Sequence, residues 1–401
     1  MLRFSLPSAL AACAVASAAP GQATITELGP LPADYDTTAM AISESGIAAA
    51  GAVASPGGTL QVLAGFPASV ARGVNDAGVV VGSSQSAADP FPCGALNCNV
   101  WGAPTPLISR ATTWASPGAP AQTLAPDPNA VSFARAISNA GHIVGDYQAE
   151  GGVTSSVAFI IDPNSGALTT LPPPFGFRDA FAFDVNESGH VAGFGEAASF
   201  VGIEATLWID GDPIGLGRKT GFTRSFGYGI NEHDDVVGCL EQVGESQPAL
   251  WPAGGSVVQL PSLSADGVHC ALDINDHGRI VGFSAGEFGD RAVMWTNTAT
   301  LVDLNDLLAP ADASEWTLLR AGAINNAGQI VGEGLRNGFR RAFLMQVDTN
   351  TPDLNGDGVV DGADLGLLLG FWGACAGCAA DLNDDGVVNG ADLGILLGAW
   401  S

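Results

Sequence analysis

Between residues 24 and 350, short apolar runs alternate with polar corners at a regular interval. The core of the pattern is Ala-x-x-Ile-Asn-x-x-Gly-x-Ile-Val-Gly, in which two apolar runs flank a four-residue corner. Asn at the first corner position can hydrogen-bond the nearby backbone, and Gly at the fourth accepts a positive φ. The pattern therefore predicts a β-hairpin with a short loop in every copy. The copies end at Gly51, Gly82, Gly145, Gly193, Gly238, Gly282 and Gly332.

Each copy carries two further strand-like segments. One has the form Ala-x-x-Trp or a variant of it, as in Ala111–Trp114, Ala158–Ile161, Ala205–Trp208, Pro248–Trp251, Ala292–Trp295 and Ala342–Met345. The other has the form Leu-x-x-Leu, as in Leu28–Leu31, Leu168–Leu171 and Leu301–Leu304.

Four short strands in each copy predict a mainly β fold over residues 24–348. Because the later copies are 44 to 50 residues long, the period is that of a propeller blade, and the count predicts a seven-bladed β-propeller. Closing such a ring removes exposed sheet edges. The first copy is short and poor in aromatic residues, so six full blades with one degenerate copy are an alternative. A pair of β-sandwiches is a further one.

The repeated residues resemble the HAF family of extracellular repeats. In that family the sequence runs roughly Ala-Phe-x-Trp, Leu-Gly-x-Leu and then Ala-x-x-Ile-Asn-x-x-Gly-x-Val-Val-Gly, and the resemblance extends over residues 24–347. It implies an exported protein with propeller-like repeats and no agreed chemistry. The Asn and Gly positions would then build corners, and the Ala and Trp positions would pack neighbouring blades.

The last fifty residues hold a second, different duplication. Residues 353–364 read Asp-Leu-Asn-Gly-Asp-Gly-Val-Val-Asp-Gly-Ala-Asp, and residues 381–392 read Asp-Leu-Asn-Asp-Asp-Gly-Val-Val-Asn-Gly-Ala-Asp. Oxygen-bearing side chains at positions 1, 3, 5, 9 and 12, with Gly at position 6, have the spacing of an EF-hand calcium loop. The uncharged stretches Leu365–Trp372 and Leu393–Trp400 follow the loops and predict short helices. A disordered acidic tail is the alternative.

The duplicated loop and helix resemble type I dockerin modules, which also place Asp at position 12 where ordinary EF-hands have Glu. The resemblance implies a small α-helical module over residues 353–401, joined by a linker at 349–352, that binds two Ca²⁺ ions. Position 9 would bind through water and position 7 through its carbonyl. By motif position the ligands are Asp353, Asn355, Asp357, Val359, Asp361 and Asp364 in the first loop, and Asp381, Asn383, Asp385, Val387, Asn389 and Asp392 in the second.

The loops depart from the dockerin pattern at positions 10 and 11. Dockerins that bind cellulosomal cohesins usually have a Ser-Thr-like pair there, whereas both loops here have Gly-Ala. Calcium binding survives this departure, but a cohesin-like partner does not follow from it. A surface protein is the other partner that we consider.

The N-terminus and the composition indicate export. Residues 1–23 combine Arg3, an apolar core over Leu6–Val15 and small residues at a cleavage site, which predicts a signal peptide rather than a membrane span. A lipobox-like Leu10–Cys13 leaves a lipoprotein anchored through Cys13 as an alternative. Acidic residues outnumber basic ones 41 to 14, which argues against nucleic acid and anionic membranes as partners.

Six cysteines remain after the N-terminal segment, and an even number in an exported chain favours disulfides. Close spacing pairs Cys93 with Cys98 and Cys375 with Cys378, which leaves Cys239 and Cys270 for each other. A redox or zinc site at residues 375–378 is disfavoured, because the segment lacks a βαβ context and a nearby His.

Two catalytic patterns are weak. Residues 282–286 read Gly-x-Ser-x-Gly around Ser284, but another strand is predicted where a nucleophile elbow needs a helix. His142, His190, His233 and His277 occupy two different corner positions in only some copies, which favours turn residues over a metal ring. No carboxylate pair for glycoside hydrolysis stands out.

We therefore predict a secreted, non-enzymatic binding or scaffold protein. The propeller would bind an extracellular glycan or protein, and the calcium module would attach it to a protein partner or the cell surface. The alternative is a secreted carbohydrate-active hydrolase with its site at the propeller mouth. A third hypothesis makes the tail a surface-retention signal.

Overall fold

The computed structural model describes residues 23–28, 39–50, 53–55, 61–62, 69–87, 107–116, 119–124, 130–149, 155–198, 202–286, 289–347, 352, 354, 359–375, 380–382 and 387–400. Thirty strands and three short α-helices lie in this part of the chain. Residues 1–22 of the predicted signal peptide, the Cys93–Cys98 pair and part of each calcium loop lie outside it.

The strands occur in consecutive groups of four, after one N-terminal strand. In chain order they are β1 (Thr24–Glu27); β2 (Ala39–Ile42), β3 (Ala48–Ala50), β4 (Val53–Ser55), β5 (Gln61–Val62); β6 (Ser69–Val74), β7 (Val80–Ala87), β8 (Leu107–Trp114), β9 (Gln122–Thr123); β10 (Ser132–Ile137), β11 (Ile143–Ala149), β12 (Ser155–Ile161), β13 (Leu168–Leu171); β14 (Asp179–Val185), β15 (Val191–Glu196), β16 (Ile203–Ile209), β17 (Asp212–Gly215); β18 (Arg224–Ile230), β19 (Val236–Gln242), β20 (Glu245–Trp251), β21 (Val258–Gln259); β22 (His269–Ile274), β23 (Ile280–Gly286), β24 (Gly289–Trp295), β25 (Leu301–Asp303); and β26 (Trp316–Ile324), β27 (Gln329–Arg336), β28 (Phe339–Gln346).

Each group forms an antiparallel meander in sequence order, as the hairpin pattern predicts. The last group has only three strands of its own, and β1 pairs antiparallel with β28 to complete it. Strand β2, the first strand of the first group, also packs against β26 and β27, so the first group contacts the last. One parallel pairing, Ile203 with Arg224, joins the fourth and fifth groups into one longer sheet. The fold is mainly β and has a propeller arrangement, as predicted.

The core lies in layers between neighbouring sheets. The predicted Ala-x-x-Trp segments are the third strands, and they bury Trp114, Trp208, Trp251 and Trp295. The Trp295 layer, for example, joins side chains of β19 and β20 to those of β23 and β24. The Leu-x-x-Leu segments at Leu168–Leu171 and Leu301–Leu304 coincide with the fourth strands β13 and β25. The segment at Leu28–Leu31 does not coincide with β1, which ends at Glu27; Leu28 is buried, and residues 29–31 lie outside the described residues.

The polar corners carry a hydrogen-bond network that links one group to the next. In Asn275, which is 4% exposed, Oδ1 accepts from Arg279 N at 2.9 Å, and Nδ2 donates to the carbonyl oxygen of Asn325 in the following corner at 3.1 Å. The fourth corner position has a positive φ in the copies that the structure describes, including 72° at Gly278 and 64° at Asp234. The predicted Asp substitution for Gly is thus accommodated in the left-handed region.

The final glycine of each copy faces a close backbone approach. A Cβ on Gly282 would lie 2.0 Å from the carbonyl oxygen of Cys270, and the corresponding glycines at 82, 145, 193, 238 and 332 meet similar contacts of 1.8 to 2.0 Å. These glycines sit opposite a β-bulge in the first strand, where the chain comes too close for a side chain. In the first copy, Ala50 takes the place of this glycine and pairs with Ala39, and Gly51 lies outside the described residues.

Three α-helices lie after the fourth strand of the sixth group. They are α1 (Pro310–Ala313), α2 (Gly362–Gly370) and α3 (Gly390–Gly398), and a 3₁₀ turn covers Leu304–Leu307. The strands β29 (Gly373–Ala374) and β30 (Val387–Val388) pair beside α2 and α3. At nine residues, the longest helices of the described chain fall short of a bilayer span.

Candidate functional site

The first strands enclose a cavity of about 650 Å³, which we call the central channel. In each first strand the pairing register skips the residue just after the one that opens the motif, which is Ala in six copies and Gly227 in the fifth, and this makes a β-bulge. The skipped residues are Met40, Arg72, Arg135, Phe183, Tyr228, Leu272 and Gly322. A bulge redirects side chains, and the skipped residues from Arg72 to Gly322 line the channel. Both variable positions of Ala-x-x-Ile thus supply channel residues.

One sector of the channel wall is cationic. The guanidinium carbons of Arg72 and Arg135 lie 5.7 Å and 5.6 Å from the ring centroid of Phe133. Arg135 Nε donates to Asp146 Oδ1 at 2.5 Å, and Asp146 is almost fully buried. Burial, and then the nearby Arg135, lower the pKa of Arg72 from its ordinary value. Two guanidinium groups therefore lie beside one carboxylate.

The adjoining sector is aromatic. The guanidinium of Arg135 lies 4.3 Å from the ring centroid of Phe183, which stacks on Phe194 at 5.3 Å and meets Tyr228 edge-on at 5.1 Å. Burial raises the pKa of Tyr228 to about 12, so its phenol is neutral. These contacts hold Phe183 rigidly against the cationic sector.

A disulfide lies next to the aromatic sector. Cys239 on β19 and Cys270 on β22 are bonded, which confirms the predicted pairing. With Phe283 they form a small buried cluster against which Tyr228 and Leu272 pack. Cys375 is also disulfide-bonded, and Cys378 lies outside the described residues.

Two carboxylates lie deeper in the channel, directly after bulge residues. Asp184 accepts from Val185 N and Ile230 N at 2.9 and 3.0 Å, and Asp273 accepts from Ile274 N and Ile324 N, both at 2.8 Å. Each carboxylate therefore ties its own strand to a neighbouring first strand. Burial raises the pKa of Asp184 to about 6, whereas burial and then the charge of Asp184 raise the pKa of Asp273 to about 8.

The corner end of the channel is ringed by acidic and amide side chains. Each accepts a hydrogen bond of 2.5 to 2.9 Å from a corner N–H of the preceding group, and the chain of bonds closes on itself. Burial raises the pKa of Glu44 to about 7, and the bond from Asn326 N only partly offsets it. The ring comprises Glu44, Asp76, Asn139, Glu187, Glu232, Asp276 and Asn326.

The channel residues were missed by the sequence-based prediction, which rests on the constant Asn, Gly and Trp positions of the motif. A usable signal was present: the two variable positions after the motif Ala hold Arg, Phe, Tyr and Asp in several copies. The corner histidines do lie in turns, and His190 Nδ1 contacts Asp234 Oδ1 at 2.7 Å. Within the described residues, no three His, Cys, Asp or Glu side chains form a metal-binding group.

Ser284 of the Gly-x-Ser-x-Gly pattern lies inside β23, not on a strand-to-helix turn. His269 Nδ1 is 2.8 Å from Ser284 Oγ, and Ser284 Oγ also accepts from Leu263 N at 2.9 Å. Both Ser284 and His269 are 0% exposed. A substrate cannot reach this pair, so its polar contacts are structural.

The structure describes part of the two predicted calcium loops. Position 9 is the N-cap of each helix and position 12 completes a capping box: Asp361 N donates to Asp364 Oδ2, and Asn389 N donates to Asp392 Oδ2, both at 2.8 Å. Val359 and Val387 are partly exposed. Asp353, Asn355, Asp357, Asn383 and Asp385 lie outside the described residues.

Three predicted ligands are buried carboxylates. Asp364 and Asp392 are 0% exposed and Asp381 is 1% exposed. They lie beside an apolar cluster that includes Leu368 and Leu396 from the two helices. The donor set suits a hard cation, because carboxylate and carbonyl oxygens are the ligands that Ca²⁺ prefers.

Both helices of this module leave apolar side chains exposed. Leu369, Phe371 and Trp372 are about half exposed around the end of α2, as are Leu397 and Trp400 around the end of α3. Leu369 and Trp372 correspond to Leu397 and Trp400 in the 28-residue duplication. The two exposed faces are therefore near copies of each other.

No protein-family model matches the chain, and no curated protein matches it either. Solved structures do match. A streptogramin B lyase shares 10% identity over 82% of this chain and 99% of its own, with a TM-score of 0.47. The inactive virginiamycin B lyase of Staphylococcus aureus, solved with quinupristin, shares 8% over 81% and 100%, also at 0.47. The β-propeller domain of the Trilobed protease from Pyrococcus furiosus shares 13% over 67% and 79%, at 0.42. Likenesses at these identities concern the fold alone.

Proposed function

We propose that this is an exported, non-enzymatic binding protein. Its propeller presents a ligand site in the central channel, and residues 353–401 bind two Ca²⁺ ions and attach the protein to a protein partner or the cell surface. The observation that carries the calcium proposal is the burial of Asp364, Asp381 and Asp392 in a segment whose sequence contains no Lys, Arg or His.

Buried carboxylates are costly unless positive charge or hydrogen bonds compensate them. Backbone N–H groups already donate to Asp364 and Asp392 and offset part of this cost. The segment's own sequence supplies no basic side chain, so a bound cation would add the positive charge. Because the carboxylates of each loop repel one another until a cation neutralises them, calcium binding and folding of the module are coupled.

The test is calcium titration of the full-length protein after chelator treatment, by calorimetry, together with thermal unfolding. We expect binding of two ions and a thermal transition of the module that rises with calcium. The propeller transition should stay in place. In Asp364→Ala/Asp392→Ala, calcium binding should be lost while the propeller transition is kept.

Asp306→Ala removes an exposed propeller carboxylate and serves as the matched control, with unchanged calcium binding. If the wild-type chain binds no calcium, or if the double variant binds it as well as the wild type, the calcium module is refuted.

Attachment is supported by the paired apolar faces around Trp372 and Trp400. Exposed apolar patches of this kind mark interaction sites. Substituting both tryptophans by Ser should abolish attachment to the producing cell's surface fraction without changing calcium binding. Equal retention of wild type and variant would contradict the attachment role.

We also propose that the propeller has seven blades and that the chain is exported. The closed ring of corner hydrogen bonds, with one member from each group, supports the blade number. Export is supported by the Cys239–Cys270 disulfide, since disulfides persist in oxidising compartments. Mass spectrometry of the mature N-terminus distinguishes cleavage near residue 23 from a lipidated Cys13.

A secreted hydrolase acting on polysaccharide is the second candidate, because the channel contains carboxylates whose pKa is raised. A general acid needs such a pKa. However, both oxygens of Asp184 and of Asp273 already accept backbone N–H groups. Release of reducing sugar that disappears in Asp273→Asn, while the fold is kept, would favour the hydrolase over the binding protein.

A further inference from the structure

The cationic and aromatic sectors of the central channel adjoin each other, and this juxtaposition indicates what the channel binds. The inference rests on the proposed function, because it names the ligand class of the channel site. Arg72 and Arg135 supply the positive charge, and Phe183 with Tyr228 supplies a flat apolar wall. Leu272 continues that wall on the next first strand.

The first sector holds two guanidinium groups beside one carboxylate, Asp146, while the other carboxylates of the channel lie on other first strands and at the corners. Asp146 accepts from Arg135 Nε, whereas Arg72 Nε is buried and has no hydrogen-bond partner among the described residues. A buried N–H group of a guanidinium that lacks an acceptor is costly. An anionic ligand in the channel would provide a counter-charge for this guanidinium.

Guanidinium geometry favours a planar anion. Arginine presents its N–H groups in a fork that matches a carboxylate, and such pairs are stronger and more directional than neutral hydrogen bonds. Arg135 is held in place on two sides, by Asp146 and by the Phe183 ring at 4.3 Å. The cationic sector is therefore preorganised, and little side-chain freedom is lost when an anion binds.

The aromatic sector sets the shape of the remainder of the ligand. Arg135 lies over the ring of Phe183, Phe194 stacks on it and Tyr228 meets it edge-on, so the ring is fixed next to the cationic sector. Phe183 and Tyr228 both line the cavity, where a flat ring can pack edge-to-face against them. The cavity of about 650 Å³ lies within the range of small-molecule sites.

We propose that the central channel binds a small carboxylate carried on a flat ring, with the carboxylate between Arg72 and Arg135 and the ring against Phe183. The ligand can be an aromatic acid or a uronic acid of a glycan, because both combine a carboxylate with a ring that packs against aromatic side chains.

The test uses benzoate and glucuronate as probes on the full-length, calcium-loaded protein, with benzamide and glucose as neutral counterparts. Binding during the titration is measured by saturation-transfer NMR. We expect dissociation constants of about 0.1–5 mM for the better acid, as suits a ligand of this size. The neutral counterparts should bind at least about tenfold more weakly.

Arg72→Gln should weaken binding of the acid about tenfold or more, and Phe183→Leu should weaken both acid and neutral probe. Arg218→Gln, at an exposed arginine away from the channel, is the matched control and should bind as the wild type does. Circular dichroism and calcium binding of each variant report on folding. Because Phe183→Leu keeps the charges, it tests the site even if the arginine variant folds poorly.

Tighter binding of benzoate identifies an aromatic acid, and tighter binding of glucuronate identifies a sugar acid. Equal binding of acid and neutral probe, or an acid affinity that Arg72→Gln leaves unchanged, overturns the proposal. If neither acid binds while calcium binding is intact, the proposed ligand class is refuted, but the proposed calcium-dependent attachment is not.

Discussion

Asn275 offers the sharpest test of how the corners hold the propeller together. Replacing it by Ala removes two hydrogen bonds and leaves the Arg279 N–H and the Asn325 carbonyl without this partner. Each buried polar group left unsatisfied costs about 1–3 kcal/mol. We therefore expect Asn275→Ala to lower the free energy of unfolding by about 2–6 kcal/mol, summed over the two groups.

The chain itself supplies an intermediate case. Ser43 and Ser138 occupy the same corner position in other copies, and their hydroxyls accept from Ile47 N at 3.1 Å and from His142 N at 3.3 Å. A serine thus keeps the bond within its own corner but is too short to reach the next one. Asn275→Ser should accordingly cost about half as much as Asn275→Ala, or about 1–3 kcal/mol.

Urea unfolding followed by tryptophan fluorescence measures these differences, with calcium in excess throughout. Asn297→Ala is the matched control: Asn297 accepts from Ala299 N and Thr300 N in an exposed turn of the same sheet and should cost less than about 1 kcal/mol. Faster hydrogen exchange of the Arg279 amide should accompany the Ala variant alone. If the Ala and Ser variants lose equal stability, or neither loses more than Asn297→Ala, the link between corners is not what stabilises the ring.

Three further outcomes are expected. Raising the pH from about 5 to 9 should lower the urea midpoint. Burial, and then the charge of Asp184, raise the pKa of Asp273 to about 8 in the folded state, whereas the unfolded group ionises near about 4, so the folded state binds more protons in this window and loses stability as the pH rises. Asp273→Asn should flatten this dependence of the midpoint on pH. Replacing Cys239 and Cys270 by Ser should cost about 3–4 kcal/mol relative to the oxidised wild type by the loop-entropy estimate, and wild type reduced at this disulfide should lose the same amount. Ser138→Asn should raise the midpoint by adding a bond toward the carbonyl of Asn186, and an unchanged midpoint would contradict this.

The repeat pattern predicted the hairpins and the third strands because their signal is local. A corner needs Asn and a left-handed residue, and the inward face of a third strand needs Ala and Trp. The position of the N-terminal strand was predicted less well, because β1 is defined by a partner, β28, that lies more than 300 residues away. Nothing in the sequence around Thr24 specifies that partner.

The central channel could not be predicted in the same way. Arg72, Arg135 and Phe183 meet there because their strands are neighbours around a ring, and no spacing in the sequence reports that distance. The pairing of Cys239 with Cys270 was predictable by elimination, because the other four cysteines lie close together in two pairs.

The bulge explains why one short motif can be both constant and variable. At the skipped position the side chain has no cross-strand partner, so the ladder does not restrict its type. The position on the second strand that faces the bulge is restricted to glycine, because Gly282 lies against the carbonyl oxygen of Cys270 and a side chain would not fit there. The fold therefore concentrates its constraints on Asn, Gly and Trp and leaves the channel positions free to differ between copies. These free positions hold two arginines on consecutive first strands and two aromatic residues on the next two. The proposed ligand, charged on one side and flat on the other, would account for this arrangement.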